Sequence, residues 1–178
     1  MKFKILKFKK VKSTNDTALR IIKKTTIKNG MIIADSQYKG RGQYGRKWIS
    51  YKGNLFVSFF YCLQNINLTI KQLTILNCLL VKKLISIYYK KEITYKKPND
   101  LLIEKKKISG ILQETVDKLG VRYLIVGIGI NLSKNPYIKG YPTTNLNYLV
   151  NKKLSKKNLE NNLKIIFENK LSKFYEIK

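Results

Sequence analysis

Between residues 92 and 130, four strand-like segments follow one another with only short polar connections between them. The predicted strands span residues 92–96, 101–104, 107–115 and 122–130. Residues 98–100, 105–106 and 117–120 connect them and have the Pro, Asn, Asp, Lys and Gly content of hairpin turns. Strands joined by such short connections pair antiparallel, so this stretch predicts an antiparallel meander.

The rest of the chain adds helices and further strands. Apolar residues recur at helical spacing in residues 15–24, 69–89 and 154–175. Strands are predicted at the alternating N-terminus and at residues 30–34 and 54–63. The 178 residues fit one domain of ordinary size. We therefore predict a single α+β domain over residues 1–178, with helices flanking a mixed or antiparallel sheet.

The composition limits the kinds of catalysis and the kinds of site that the chain can have. The chain has no histidine, which excludes Ser-His-Asp and Cys-His nucleophilic catalysis. Cys62 and Cys78 lack the spacing of a zinc site. No apolar run approaches the roughly 20 residues that span a bilayer, and the N-terminus lacks the features of a signal peptide. We expect a cytoplasmic protein without a membrane partner.

The net charge of +27 admits a second reading, a lysine-rich protein that binds nucleic acid without enzymatic activity. The lysines are spread along the chain instead of forming one basic stripe, which favours a solvated lysine surface. Arginine is distributed differently. The eight residues 41–48 contain two of the four arginines, Arg41 and Arg46, and the only tryptophan, Trp48. Because arginine offers a planar fork for phosphate or carboxylate, this cluster indicates a site.

The cluster belongs to a glycine-rich loop, residues 40–48. Gly40, Gly42 and Gly45 let the backbone approach a ligand closely and expose amide groups to an anion, and the arginines add charged donors. The spacing is not that of a P-loop, and no helix is predicted after it, as a Rossmann fold would require. A phosphate-bearing ligand fits this loop. A simple turn is the alternative reading.

Two further stretches carry candidate chemistry. Asp100 could hold Mg²⁺, and Lys107 could direct an ammonium at a carboxylate or phosphate. The alternatives are a common turn sequence and a solvated run of lysines. In the strand at 122–130, Gly127 and Gly129 have no side chains and leave space on the surface of the sheet just before Asn131. A ligand, a bulge or a close strand–helix contact would each explain them.

Taken in order, these segments resemble the biotin protein ligase family. The resemblance runs from about residue 11 to 146 and rests on motifs that include Ser13-Thr14-Asn15, Gly40-Arg41-Gly42-Gln43-Tyr44-Gly45-Arg46-Lys47-Trp48, Pro98-Asn99-Asp100, Lys107-x-x-Gly110-Ile111-Leu112-x-Glu114, Gly127-Ile128-Gly129-Ile130-Asn131 and Pro142-Thr143-Thr144-Asn145-Leu146. It implies a biotin/lipoate ligase-like catalytic domain. The implied activity is ATP-dependent formation of biotinyl-5′-AMP, followed by transfer of biotin to a lysine of a biotin carboxyl carrier protein.

The resemblance also implies roles for particular residues. Biotin would be contacted by Ser13, Thr14, Asn15, Gln37, Gly40, Arg41, Gly42, Gln43 and Lys107. The nucleotide would be contacted by Arg46, Trp48, Asn99 and Asn131, with Asp100 near Mg²⁺. Lys107 and Arg41 would be the catalytic residues. ATP with Mg²⁺ and biotin are then substrates, and no tightly bound prosthetic group is expected.

Two residues depart from the family pattern. Gln43 stands where the signature usually has arginine, and Lys97 stands where tryptophan often precedes Pro-Asn-Asp. Gln43 carries no charge, so we expect looser retention of the activated intermediate. We also expect no N-terminal helix-turn-helix domain, no specific DNA binding, and no C-terminal β-barrel after the helix at 154–175.

Three alternatives remain at this point. A lipoate or octanoate ligase or transferase shares the fold but would have a different loop signature. The lysine-rich nucleic-acid-binding protein is the alternative from another class. A ligase-like chain that folds but turns over poorly is the third. A homodimer through exposed sheet edges is also compatible with the sequence.

Overall fold

The computed structural model describes residues 1–64 and 66–175. Within them, a seven-stranded mixed sheet has the order β1-β2-β3-β7-β6-β5-β4. The strands are β1 Lys4–Val11, β2 Gly30–Gln37, β3 Leu55–Cys62, β4 Thr94–Lys96, β5 Asp100–Ile103, β6 Lys106–Lys118 and β7 Val121–Ile130. The helices are α1 Thr14–Lys24, α2 Ile70–Tyr88, α3 Leu146–Leu149 and α4 Lys156–Tyr175. The predicted α+β architecture is confirmed.

The predicted meander is present as β4, β5, β6 and β7, which pair antiparallel in sequence order. Its tight turns have left-handed backbone at Glu104 and Lys105, and at Leu119 and Gly120. Two consecutive residues with positive φ form the turn that matches the twist of a hairpin. The first of these turns lies one residue earlier than predicted, because Lys106 already pairs with Ile103.

One strand pair is parallel. β1 and β2 run side by side from Lys4 opposite Gly30 to Val11 opposite Gln37, with α1 connecting them. This pairing extends β2 to Gln37, three residues beyond its predicted end at Ala34. The extension could not be predicted from apolar pattern, because residues 35–37 are polar and owe their strand conformation to the neighbouring backbone.

Helices cover both faces of the sheet. Alternate residues of β3 face α2 and α4, where Phe59 stacks on Phe167 with ring centroids 4.1 Å apart. On the opposite face, Phe60 packs with Ala18 and Ile22 of α1. A strand that is buried on both faces needs a continuous apolar run, which explains the composition of β3. In the described ranges no helix has both the length and the apolarity required to cross a membrane.

The segment between β7 and α4 returns to the sheet. Lys107 N–H donates to the Pro142 carbonyl at 2.8 Å, and Thr144 N–H donates to the Lys107 carbonyl at 3.0 Å. These bonds hold residues 141–144 beside the start of β6. The short helix α3, capped by the Asn145 side chain, follows this segment and was not predicted because one turn carries no detectable periodicity.

Candidate active site

A cavity of about 820 Å³ opens where the N-terminus of α1, the glycine-rich loop, β6, β7 and the segment 136–143 meet. The structure brings nearly all of the predicted site residues to its wall: Ser13, Thr14, Asn15, Gln37, Arg41, Gly42, Gln43, Arg46, Trp48, Asn99, Asp100, Lys107 and Asn131. They come from distant parts of the chain and meet in one place.

Gly40 is the predicted residue that does not line the cavity. It is buried behind the loop, where Trp48 N–H donates to its carbonyl at 3.0 Å. A Cβ there would stand 2.6 Å from the Trp48 carbonyl oxygen and 2.8 Å from Ser50 Oγ. Gly40 therefore allows the two arms of the loop to approach each other, which is a structural role.

Neutral polar groups form the end of the cavity next to α1. Gln37 Oε1 accepts hydrogen bonds from Thr14 N–H at 2.7 Å and from Thr14 Oγ1 at 3.1 Å. Asn15 Oδ1 accepts from Ser58 Oγ, and Asn15 Nδ2 donates to Glu114 at 2.7 Å. Ser13 caps α1 by accepting from Asp16 N–H. These bonds fix the amide groups and suit them to an uncharged polar ligand.

Glycines in the sheet make room for side chains from the other elements. A Cβ at Gly127 would overlap the Asn15 side chain, and a Cβ at Gly129 would overlap the Trp48 indole. Gly110, the cross-strand neighbour of Gly129, also lies under this indole, which is 2.8 Å from an added Cβ. Of the predicted explanations, Gly127 fits the close strand–helix contact. The regular pairing of β6 and β7 rules out a bulge here.

Arg41 is held by two carboxylates. Its guanidinium donates to both oxygens of Glu114 at 2.8 Å each, and it forms an ion pair with Asp16 at 2.8 Å. Burial by itself lowers the pKa of Arg41, but Glu114 and Asp16 outweigh it and the net shift is upward. The loop is thus connected to both α1 and β6 through one side chain.

Lys107 is also paired. Its ammonium lies 2.8 Å from Asp100 Oδ1, and both side chains are largely buried. The ammonium is 5.3 Å from the centre of the Trp48 ring and 5.5 Å from that of Tyr141. Tyr141 donates its hydroxyl hydrogen to Asp100 Oδ2 at 2.7 Å.

Other cations at the cavity wall lack such partners. Among the described residues, none of the following forms an ion pair: Arg46, Lys47, Lys96, Lys97 and Lys139. Free cations surrounding a concave surface raise the local concentration of anions and favour a multiply charged ligand.

Apart from Asp100 Oδ1, which forms the ion pair with Lys107, two polar atoms in the wall of the cavity are buried without a hydrogen-bond partner among the described residues. Trp48 Nε1 is a donor and Asn131 Oδ1 is an acceptor. Buried polar groups are nearly always hydrogen-bonded, so such a pair in a cavity marks places where a ligand completes the bonding. The Asn99 side chain, in contrast to these two groups, already has a protein partner. It donates to the Ile111 carbonyl at 2.7 Å and stabilises the turn before β5.

The described residues contain no group of three or more His, Cys, Asp or Glu side chains that could hold a metal ion. Asp100 is the predicted ligand for Mg²⁺, but both of its oxygens are engaged, by Lys107 and by Tyr141. An ammonium 2.8 Å from the carboxylate also disfavours a second cation there. In this arrangement the residues do not fit a metal ion held by the protein alone.

Sequence reasoning missed three contributors. It predicted no binding or catalytic role for Asp16, Glu114 or Tyr141, although Glu114 belongs to a motif that carries the family resemblance. The alternation of β6 places Glu114 on the same face as Gly110, a signal that was present in the sequence. Tyr141 carries no such signal, because it lies in an irregular segment that only the tertiary structure brings to Asp100.

Comparison with known proteins shows which family this chain resembles. The model of the biotin/lipoate A/B protein ligase family matches residues 7–131. The bifunctional ligase/repressor BirA of Bacillus subtilis (strain 168) is 35% identical over 126 residues, covering 70% of this chain and 39% of that protein. The biotin–[acetyl-CoA-carboxylase] ligase of Paracoccus denitrificans is 31% identical over 127 residues, covering 70% of this chain and 52% of that protein.

Among solved structures, the biotin protein ligase from Aquifex aeolicus in complex with biotin and ATP has a TM-score of 0.83 and 29% identity, and the match covers 98% of this chain and 73% of that one. The matched part of this chain spans only about two fifths to one half of the two curated relatives. The family model itself matches well over half of this chain. The chain therefore belongs to the biotin/lipoate A/B protein ligase family, and the relatives that it resembles are biotin ligases.

Proposed function

We propose that this chain activates biotin with ATP to form biotinyl-5′-AMP and transfers biotin to a lysine of a biotin carboxyl carrier protein. One observation carries the proposal: a single cavity joins a neutral hydrogen-bonding end at Thr14 and Gln37 to a cationic end at Lys107 and Arg46. Biotin presents an uncharged polar head and a carboxylate, and ATP presents the phosphates. The names of the similar ligases support the same assignment.

In the first step, a biotin carboxylate oxygen attacks the α-phosphorus of ATP, and the bond to the bridging oxygen breaks to release pyrophosphate. In the second step, the amine of the acceptor lysine attacks the carbonyl of the mixed anhydride and AMP leaves, while the amine loses a proton. Neither step needs a histidine. Both reactants of the first step are anions, so the protein must hold them in line and offset their repulsion.

The neutral end of the cavity would bind the biotin head group. Ser13, Thr14, Asn15 and Gln37 belong to this end, and the loop residues Gly42 and Gln43 also line the cavity. Gly40 would act by shaping the loop. Arg41 would act in its pair with Glu114, fastening the loop over biotin, or would exchange one carboxylate for an anionic oxygen of the intermediate.

The cationic end would bind the nucleotide. Trp48 Nε1 and Asn131 Oδ1 offer one donor and one acceptor that have no hydrogen-bond partner in the described part of the chain. Arg46 supplies a guanidinium that forms no ion pair with any described residue. Lys107 would contact the biotin carboxylate and the phosphorus oxygens that gain charge in the transition state. Asn99 would keep the adjoining turn in place.

ATP would enter as its magnesium complex, in which the phosphates would hold the ion and offset part of their own charge. Asp100 could join them only by releasing Lys107 or Tyr141, so no step is assigned to it as a metal ligand.

For the partner, we propose an acidic carrier domain, because the cavity is surrounded by lysines and complementary charge accelerates encounter. Pairing of two copies through a sheet edge remains part of the proposal, since β1 and β4 end the described sheet on either side. A cytoplasmic location would suit both substrates.

The decisive experiment is ATP–pyrophosphate exchange with biotin, octanoate or lipoate as the acid. We expect exchange with biotin only, and we expect Lys107→Ala and Arg41→Ala each to reduce it by about a hundredfold or more, the range for removal of a group that stabilises developing charge. Exchange with octanoate or lipoate in preference to biotin would establish the alternative ligase. No exchange with any acid, together with salt-dependent binding to RNA or DNA, would overturn the proposal.

A further inference from the structure

Lys107 points into the cavity while it is already bound to a carboxylate. Its ammonium forms an ion pair with Asp100, in which Lys107 Nζ lies 2.8 Å from Asp100 Oδ1. The ammonium also lies 5.3 Å from the centre of the Trp48 ring and 5.5 Å from that of Tyr141. A flexible lysine held by an ion pair keeps a defined direction, and its ammonium, with three N–H groups, can still bind a second anion. The position of Asp100 therefore sets the direction in which Lys107 acts.

Asp100 is in turn held by Tyr141. The phenol donates to Asp100 Oδ2 at 2.7 Å, on the oxygen that Lys107 does not use. Burial raises the pKa of Tyr141, and Asp100 raises it further, so the hydroxyl keeps its hydrogen and remains a donor. The two oxygens of this carboxylate thus contact two different elements, Oδ1 through the ion pair with Lys107 and Oδ2 through the hydrogen bond from Tyr141, so rotation of the carboxylate would disrupt both contacts.

The backbone places Tyr141 where it can do this. The segment 141–144 is hydrogen-bonded to both the N–H and the carbonyl of Lys107, through Pro142 and Thr144. The backbone of Tyr141 is therefore held next to that of Lys107. Gly110 completes the arrangement, because a Cβ there would stand 3.2 Å from Lys107 Cε and 3.3 Å from Asp100 Oδ1. The ion pair lies in a space that a larger residue would restrict.

We propose that Tyr141 is a positioning residue, which acts through Asp100 to hold the Lys107 ammonium in the direction needed for substrate activation. This inference rests on the proposed function for the chemistry, but the arrangement of the three side chains can be tested without it. The Tyr141 hydroxyl is the group that contacts Asp100. A ring without the hydroxyl would still pack beside Lys107 and Lys96, whose ammonium lies 4.4 Å from the ring centre.

The kinetic test is a double-mutant cycle of Tyr141→Phe and Asp100→Asn in biotin-dependent ATP–pyrophosphate exchange. We expect Tyr141→Phe to lower kcat about tenfold, the loss of one hydrogen bond to a charged group, with KM for biotin and ATP changed less than about threefold. In the Asp100→Asn background the same change should lower kcat less than about twofold, because the ion pair between Asp100 and Lys107 is already lost. Tyr137→Phe, in the same segment but with an exposed side chain, is the matched control and should behave as wild type.

The independent test is the rate at which an amine-acylating reagent modifies Lys107 in the substrate-free protein, followed by mass spectrometry with exposed Lys157 as the internal reference. We expect labelling of Lys107 to be about two- to fivefold faster in Tyr141→Phe and faster still in Asp100→Asn, because an amine released from an ion pair is more available. If wild type lacks exchange, the proposed function fails and this labelling alone decides the inference. Wild-type labelling in Tyr141→Phe, or fully additive kinetic effects with Asp100→Asn, would overturn it.

Discussion

The guanidinium of Arg41 and the carboxylate of Glu114 face each other through two parallel hydrogen bonds of 2.8 Å. Arg41 belongs to the glycine-rich loop and Glu114 belongs to β6, so this pair connects the loop to the sheet. Glu114 also accepts from Asn15 in α1. A single carboxylate therefore joins the three elements that form the neutral end of the cavity.

Replacement of Glu114 with Gln should loosen the loop. Arg41 would keep only Asp16 as a carboxylate partner, so we expect KM for biotin to rise about three- to tenfold, and trypsin to cleave faster after the exposed Arg46 and Lys47. The control is Asp117→Asn, which removes the surface ion pair with Arg122 and should leave both measurements unchanged. Equal cleavage rates in wild type and Glu114→Gln would show that the pair does not hold the loop.

Gln43 should make this chain release its activated intermediate quickly. An arginine at this position in the cavity wall would add a charged donor for the adenylate, so Gln43→Arg should slow the release of biotinyl-AMP about tenfold, as expected for one charge-assisted hydrogen bond. Rapid-filtration measurement of labelled biotinyl-AMP gives the rate. Asn161→Arg, which adds the same charge at an exposed position of α4, is the control. A wild-type release rate as slow as that of Gln43→Arg would contradict the prediction.

The two glycines of β7 should affect different substrates. An added methyl at Gly129 meets the Trp48 indole, so Gly129→Ala should weaken ATP binding more than biotin binding. An added methyl at Gly127 meets Asn15, so Gly127→Ala should do the reverse. Each substitution should also cost about 1–3 kcal/mol of stability through overpacking. Calorimetric titration with each ligand tests both variants, which serve as each other's control, and the same ligand preference in both would refute the assignment.

Glu168 should contribute stability that depends on pH. Burial by itself raises the pKa of this nearly inaccessible carboxyl, but Lys164, the Phe3 amide and Lys2 outweigh it and lower the pKa overall. Because the folded pKa is depressed, the contribution is fully present above the ordinary glutamate pKa of about 4.3, and it is lost as the pH falls through the folded value.

Glu168→Gln should therefore reduce the free energy of unfolding by about 1–3 kcal/mol at neutral pH. The difference from wild type should shrink as the pH falls below about 4.3. Urea denaturation at several pH values measures it, with the exposed Glu92→Gln as the control. A difference that stays constant down to strongly acidic pH would show that packing, not charge, is responsible.

Much of the fold could be predicted from local pattern. The apolar spacing of residues 15–24, 69–89 and 154–175 corresponds to α1, α2 and α4 within a few residues. The short connections between 92 and 130 specified the meander, because short turns permit only antiparallel neighbours. The polar end of β2 could not be predicted because only its pairing with β1 makes it a strand, and α3 could not be predicted because a single turn carries no detectable periodicity.

For the site, the residue types and their order along the chain were sufficient to identify the loop, the candidate cations and the family resemblance. Those features are local, since a glycine, an arginine or a motif carries its chemistry wherever the chain places it. The pairings were decided only in three dimensions. That Arg41 faces Glu114, that Trp48 covers Gly129, and that Tyr141 holds Asp100 beside Lys107 depends on contacts between distant segments, whose geometry no local pattern encodes.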